Sequence, residues 1–377
     1  MFDYIIQPGD TIYSITRLFG ITTAQLLSVN PTLDGENLVV GQKLRIPEYR
    51  DVRPTIEVNG YTYLTVSQAV LENALPYLTF LSILGYDVRP DGTFPTVDDT
   101  RLIEAARQQG VASLMVVSNI EPDIGFSADL AHTLLSDLSV MQTMINYIIA
   151  TLKAKNYYGV NINFSELYPS DYIAYAAFLQ SLTAQLRPLG YLVVIAARMT
   201  ILIEQQALLT SINQRFSFNG IMDRLIIRSN DWACTYRRRE TSYIDELQQA
   251  IDFATQHVSS PKILITIPNC CYSFKLTGQG PHLYRLLTPA QADELVQQTG
   301  GVFRIDPRSR TSHFTYVDSD GVVHEVLCEI DTNLRAPLAL VQTYNLGGVS
   351  FRTIESFSTA SYQTVSAMFE IRKFITV

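Results

Sequence analysis

Tryptophan is almost missing from this chain, cysteine is sparse and positive charge is in deficit. One Trp, Trp232, and four Cys stand among 377 residues, against 21 Tyr and 17 Phe. The cysteines are Cys234, Cys270, Cys271 and Cys328. None has the spacing of a zinc-ligand pair, and a chain this long buries enough core to need no covalent staple. Buried thiols are therefore expected, with no metal and no cofactor. Lys and Arg number 28 against 36 Asp and Glu, a net charge of −8. That leaves nucleic acid without an electrostatic footprint. No apolar run reaches the length of a membrane span; IMDRLII and VVIAA have the length of buried strands. The opening MFDYIIQPGDT carries an early acid and neither a basic stretch nor an apolar core, so it does not read as a secretory leader.

What is present begins with a small unit over residues 1–48. Tyr4-Ile5-Ile6 reads as a strand, and Gln7-Pro8-Gly9-Asp10-Thr11 as a turn whose Asp10 or Thr11 can cap a helix. Ile12, Ile15 and Leu18-Phe19 recur at helical spacing; Leu26, Leu27 and Val29 mark a second helix, stopped by Asn30-Pro31. Lys43 to Pro47 closes the unit as a strand, giving the order βααβ.

These residues resemble a LysM domain, through Tyr4, the run Gln7 to Ile12, Ile15, Gly20, Leu26, Asn30-Pro31, Leu38, Gly41, Leu44 and Ile46-Pro47. The resemblance implies a grip on N-acetylglucosamine polymers such as peptidoglycan or chitin. It places the ligand in a shallow groove between two loops, here Gly9, Asp10, Thr11, Ile12 and Asn30, Pro31, Thr32, Leu33. Backbone amides can serve acetamido groups there without any particular side chain.

Over residues 52–377 short apolar strands alternate with amphipathic helices, which predicts an α/β domain with a parallel sheet. Strands are expected at 55–58, 77–83, 113–118, 159–164, 192–196, 224–227, 262–267 and 348–351. Helices are expected at 97–109, 129–155, 170–187, 203–215, 242–257 and 360–369, with Asp98-Asp99 as a helix cap. Eight strand–helix units are the count of a closed (β/α)8 TIM barrel. The link between the last two strands holds a helix at 289–298 and strand-like runs at 314–317 and 322–328, so a small α+β insertion is expected at about 270–340.

The barrel resembles glycoside hydrolase family 18, the chitinase-like family, and within it the LysM-bearing branch with spore-germination glucosaminidases. The likeness rests on Thr55 to Tyr61, Leu81 to Val88 with Asp91-Gly92, Leu287 to Ala292, His313 to Tyr316, His324-Glu325-Val326, and Tyr344 to Ser350. In that family the fourth strand carries carboxylates at alternate positions, DxDxE, because only every second residue faces the barrel mouth. The Glu protonates the leaving oxygen, while the substrate's own acetamido oxygen attacks the sugar, a departure from the two-carboxylate scheme.

In Tyr157 to Pro169, YYGVNINFSELYP, those positions are Asn161, Asn163 and Ser165. A hydroxyl is no general acid at neutral pH, and losing a placed proton donor costs about 10²–10⁴ in rate. Glu166 and Asp231 are the acids left nearby, but the parity of Glu166 sends it to the opposite face unless the strand ends or bulges at Phe164. The family's Tyr after the sixth strand is Asn230, followed by Asp231 and Trp232, and its floor Trp on the eighth strand is Arg352. The mouth is expected to hold Tyr61, Asn230, Asp231, Trp232 and Arg352.

Three functions follow. The first is a non-catalytic protein of wall or spore that binds peptidoglycan or another N-acetylglucosamine polymer. The second is an active N-acetylglucosaminidase using Glu166. The third is a self-assembling coat or filament protein.

Overall fold

The computed structural model describes residues 2–8, 10–19, 23–31, 33, 38–46, 53–122, 124–228, 243–267, 271–277, 280–305, 312–328 and 334–374. It divides the chain into two compact units, Met1–Pro54 and Thr55–Val377.

The first unit has the βααβ order: β1 (Phe2–Ile5), α1 (Ile12–Phe19), α2 (Thr23–Val29) and β2 (Lys43–Ile46), with β1 and β2 antiparallel. Ile6, Ile15, Leu26, Leu44 and Ile46 form its core. Of the two candidate caps, Thr11 caps α1: its Oγ1 accepts the Ser14 amide at 3.0 Å, and Ser14 Oγ accepts the Thr11 amide at 2.9 Å. Asp10 Oδ2 instead accepts the Tyr4 hydroxyl at 2.8 Å and the Gln7 amide at 2.7 Å.

The second unit contains β3 (Thr55–Thr62), β4 (Phe80–Asp87), β5 (Ala112–Ser118), the hairpin β6 (Ile120–Glu121) and β7 (Gly125–Phe126), then β8 (Gly159–Asn163), β9 (Leu192–Arg198), β10 (Arg224–Arg228) and β11 (Ile263–Ile267). An inserted set follows, β12 (Cys271–Thr277), β13 (Gly280–Leu287), β14 (Arg304–Ile305), β15 (Ser312–Val317) and β16 (Val323–Cys328), before β17 (Gly348–Phe351) and β18 (Glu370–Ile371). The helices are α3 (Gln68–Ala74), α4 (Thr100–Gln108), α5 (Ala128–Ser136), α6 (Leu138–Lys155), α7 (Tyr172–Leu186), α8 (Met199–Glu204) and α9 (Gln206–Phe216). After them come α10 (Phe218–Ile221), α11 (Tyr243–Thr255), α12 (Pro289–Thr299), α13 (Arg335–Thr343) and α14 (Thr359–Met368). Among the described residues no helix is long and apolar enough to cross a membrane.

Strands β3, β4, β5, β8, β9, β10, β11 and β17 run parallel in that order, and β17 closes on β3 with Gly348 opposite Glu57. This is the expected eight-stranded TIM barrel. Closure requires glycine at 348: a Cβ there would lie 1.8 Å from the Glu57 carbonyl oxygen, and φ is +156°. The side-chain period of two divides each strand between layers. Leu114, Val116, Val194, Ala196 and Ile226 fill one core, while Met115, Val117, Val193, Ile195, Val160 and Ile162 join the larger core with the helices.

The insertion is a five-stranded antiparallel sheet, order β13-β12-β16-β15-β14, with α12 packed on it. The sequence reading missed the hairpin β12–β13, and that omission hid a second error. Cys271 and Cys328 are not thiols but a disulfide, because antiparallel pairing of β12 with β16 sets them directly opposite. Cys234 and Cys270 lie outside the described residues. Replacing both bonded cysteines by serine is expected to cost about 2–4 kcal/mol. Urea denaturation of the oxidised proteins checks this, and equal midpoints would refute it.

Two helix assignments also change. The segment 129–155 is broken at Asp137, whose Oδ1 accepts the Ser139 amide at 2.7 Å and so starts α6. Asp99 stands at the head of α4 but makes no capping bond. Its buried carboxylate accepts the hydroxyls of Tyr86 and Tyr157 and the Lys155 ammonium, the last at 2.7 Å. Burial raises both phenol pKa values well above normal, reinforced for Tyr86 by its bond to Asp99 and for Tyr157 by the neighbouring Tyr86 phenol and then by Asp99.

Candidate functional site

At the carboxyl ends of the barrel strands lies a cavity of about 380 Å³, with Tyr61, Asp87, Phe126, Asn163, Arg228 and Arg352 among its lining. Its place follows from the fold, since strand ends and the loops after them form the mouth of such a barrel. Of the expected mouth residues, Tyr61 and Arg352 are there. Asn230, Asp231 and Trp232 lie outside the described residues.

The three fourth-strand positions face inward, as their parity requires, and all are buried. Asn161 is deepest. Its Nδ2 donates to Tyr61 Oη at 2.9 Å and to Ser82 Oγ at 3.1 Å. Ser82 Oγ donates on to Asn59 Oδ1 at 2.7 Å, and Asn59 Nδ2 to Ser350 Oγ at 2.9 Å. This neutral ladder occupies the barrel interior, while Asn161 Oδ1 has no partner. Burial raises the Tyr61 phenol pKa, against the pull of the Arg228 guanidinium and the Asn161 bond.

Arg228 organises the upper part. One nitrogen, Nη1, donates to Asn163 Oδ1 and to Ser165 Oγ, each at 2.6 Å. Its guanidinium also lies over the Phe126 ring, 5.1 Å from the centroid. Ser165 is held from behind by Asn119, which accepts its amide at 3.0 Å and donates to its carbonyl at 2.7 Å. A permanent cation therefore sits against the position where an acid was sought. Nη1 contacts fix Arg228 from two sides, so the site can orient an acceptor group but offers no proton donor at residue 165.

Glu166 meets the condition set for it and still turns away. β8 ends at Asn163, and Glu166 adopts φ +52°, which takes it off the extended path of the strand. Its carboxylate pairs with Arg198 at the end of the next strand and is half exposed. It is absent from the mouth lining, whereas Arg198 lines a separate apolar cavity with Phe164 and Tyr172.

Asp87 is the carboxylate that the described lining residues do contribute, and burial pushes its pKa up. The sequence reading missed it and Arg228 as site residues. Arg228 was legible: Ile226 points inward, and two residues further along the strand the same face returns. Asp87 was not, because the β4–β5 register shifts between Ile83 and Tyr86 at Gly85, φ +149°, which breaks the count by twos. Arg352 is steadied by the insertion, donating to Tyr272 Oη of β12 at 3.0 Å.

In the small unit, Asn30 is occupied internally. Its Nδ2 donates to the carbonyls of Leu26 at 2.8 Å and Arg45 at 2.6 Å, and its Oδ1 accepts the Arg45 amide at 2.8 Å. Asn30→Ala is expected to destabilise this unit by about 1–3 kcal/mol through the backbone groups it orphans. Thermal melting checks that, and an unchanged melting curve would refute it. Gly9 and Thr32 lie outside the described residues.

Residues 4–47 match the LysM domain family, so a LysM domain is present. A cortical fragment-lytic enzyme of Bacillus anthracis is 26% identical, with 92% of this chain and 93% of that protein covered. The crystal structure of the Bacillus cereus spore cortex-lytic enzyme SleL superposes with a TM-score of 0.73 at 23% identity, covering 98% of this chain and 87% of that one. A chitinase from Chromobacterium violaceum gives 0.69 at 20% identity, covering 83% and 98% respectively. The barrel is thus chitinase-like in fold.

Proposed function

We propose that this LysM-bearing, chitinase-like barrel is a non-hydrolytic protein of the spore or cell wall that binds N-acetylglucosamine polymers of the peptidoglycan kind. The LysM domain supplies the tether, and its backbone amides, in the loops around Asp10 to Ile12 and Asn30-Pro31, are the ligand-facing groups. The barrel mouth holds sugar without cutting it. One observation carries the reading: Arg228 Nη1 stands 2.6 Å from both Asn163 Oδ1 and Ser165 Oγ, filling the proton-donor corner with a fixed positive charge. The names of the relatives support the substrate class, a cortical or chitin-like glycan.

The contrary reading is hydrolysis, and it favours Asp87 over Glu166. Asp87 lines the mouth, and a carboxyl whose pKa is raised by burial is suited to general acid work. The two readings separate in one assay. Purified protein is incubated with spore cortex fragments and chitin oligomers, and new reducing ends are counted beside a pull-down on insoluble peptidoglycan. The expected result is retention on the glycan with no new ends. Turnover that disappears in Asp87→Asn would overturn the proposal.

A further inference from the structure

The mouth departs from an acidic ladder in a definite direction. Three positions where carboxylates were sought are neutral, Asn161, Asn163 and Ser165, and all three are buried. Two guanidiniums, Arg228 and Arg352, line the same cavity, against one carboxylate, Asp87, among its described lining residues. An acidic ladder would repel an anion, and this arrangement draws one in. The guanidinium is also the side chain whose geometry suits a carboxylate, through parallel N–H donors. Both are held in place: Arg228 by Asn163, Ser165 and the Phe126 ring, Arg352 by Tyr272 of the insertion. Around them, Tyr61, Tyr63 and Phe126 give the cavity the aromatic surface that sugar rings pack against, and Asn163 gives it an amide.

We infer that the barrel mouth binds an amino sugar bearing a free carboxylate, such as the lactyl ether of muramic acid, in preference to a neutral amino sugar. This rests on the glycan-binding reading above and names the sugar for the barrel site, leaving the LysM domain its neutral N-acetylglucosamine units. Among the described lining residues Asp87 is the opposing charge in that space.

The test is calorimetric titration of the full chain with four probes: N-acetylmuramic acid, its methyl ester, N-acetylglucosamine and glycerol phosphate. The ester removes the charge and adds one methyl group. The acid is expected to bind at least about tenfold more tightly than the ester, the scale of one charge-assisted hydrogen bond. Arg352→Gln, at a partly exposed position, is expected to erase that advantage, so that acid and ester bind alike. Asp87→Asn is expected to enlarge it. Equal binding of acid and ester by the native chain, or an advantage that survives Arg352→Gln, would overturn the inference. Tighter binding of glycerol phosphate than of the sugar acid would overturn it as well, by showing a phosphate site. Cleavage of cortex fragments would refute the non-hydrolytic reading alone, so the two failures are distinguishable.

Discussion

Placing a glutamate at position 165 is expected to leave the protein without hydrolytic activity. The reason is the neighbour and not the missing side chain. Arg228 Nη1 lies 2.6 Å from Ser165 Oγ, so a carboxylate introduced there meets a guanidinium at ion-pair range. An opposite charge that close lowers a carboxyl pKa by about 1–3 units. The new acid would be ionised at every pH where the protein is assayed, with no proton for a leaving oxygen. The general-acid contribution of about 10²–10⁴ would stay out of reach. Ser165→Glu with Arg228→Met removes the pairing and is the variant in which cleavage of chitin oligomers is to be sought. Turnover by Ser165→Glu alone would show that Arg228 does not disable the corner.

The largest stability effect is expected at the opposite end of the barrel, from Glu57→Gln. Glu57 on β3 is buried and accepts two bonds from Arg224 of β10, at 2.5 and 2.6 Å, and a third from Arg372 at 3.3 Å. It joins the first barrel strand to the sixth and to the tail beyond β18. Taking one charge out of a buried pair strands the other, at a cost of about 3–5 kcal/mol. Urea denaturation with matched slopes measures this. Glu57→Met with Arg224→Met should recover part of the loss, because it removes both charges together. A single variant that unfolds at the native midpoint would refute the argument.

How much of this was open to a reader of the sequence differs by element. The barrel was legible because buried parallel strands are short apolar runs, and all eight were found within a few residues of their observed ends. The inward parity of Asn161, Asn163 and Ser165 was legible for the same reason. The hairpin β12–β13 was only half legible: CYSFKLT alternates, with Tyr272, Phe274 and Leu276 set against Ser273, Lys275 and Thr277, but GPHLYRLL does not, and a register shift lies between Ser273 and Phe274. Asp99 looked like a cap because its position is that of a cap, while its partners come from β4 and α6, far along the chain. Arg228 needed only the parity count applied to one more strand. Its pairing with two residues more than sixty positions earlier is a tertiary fact that no local pattern carries.

The Cys271–Cys328 bond spans 57 positions and ties the first strand of the insertion to its last. A protease that nicks any link between those strands would thus cut the backbone without parting the fragments. On a gel the nicked chain would run at full size until a reductant is added. Such a clasp lets exposed turns be clipped in a degrading, oxidising environment while Tyr272, and through it Arg352, stays anchored beside the mouth.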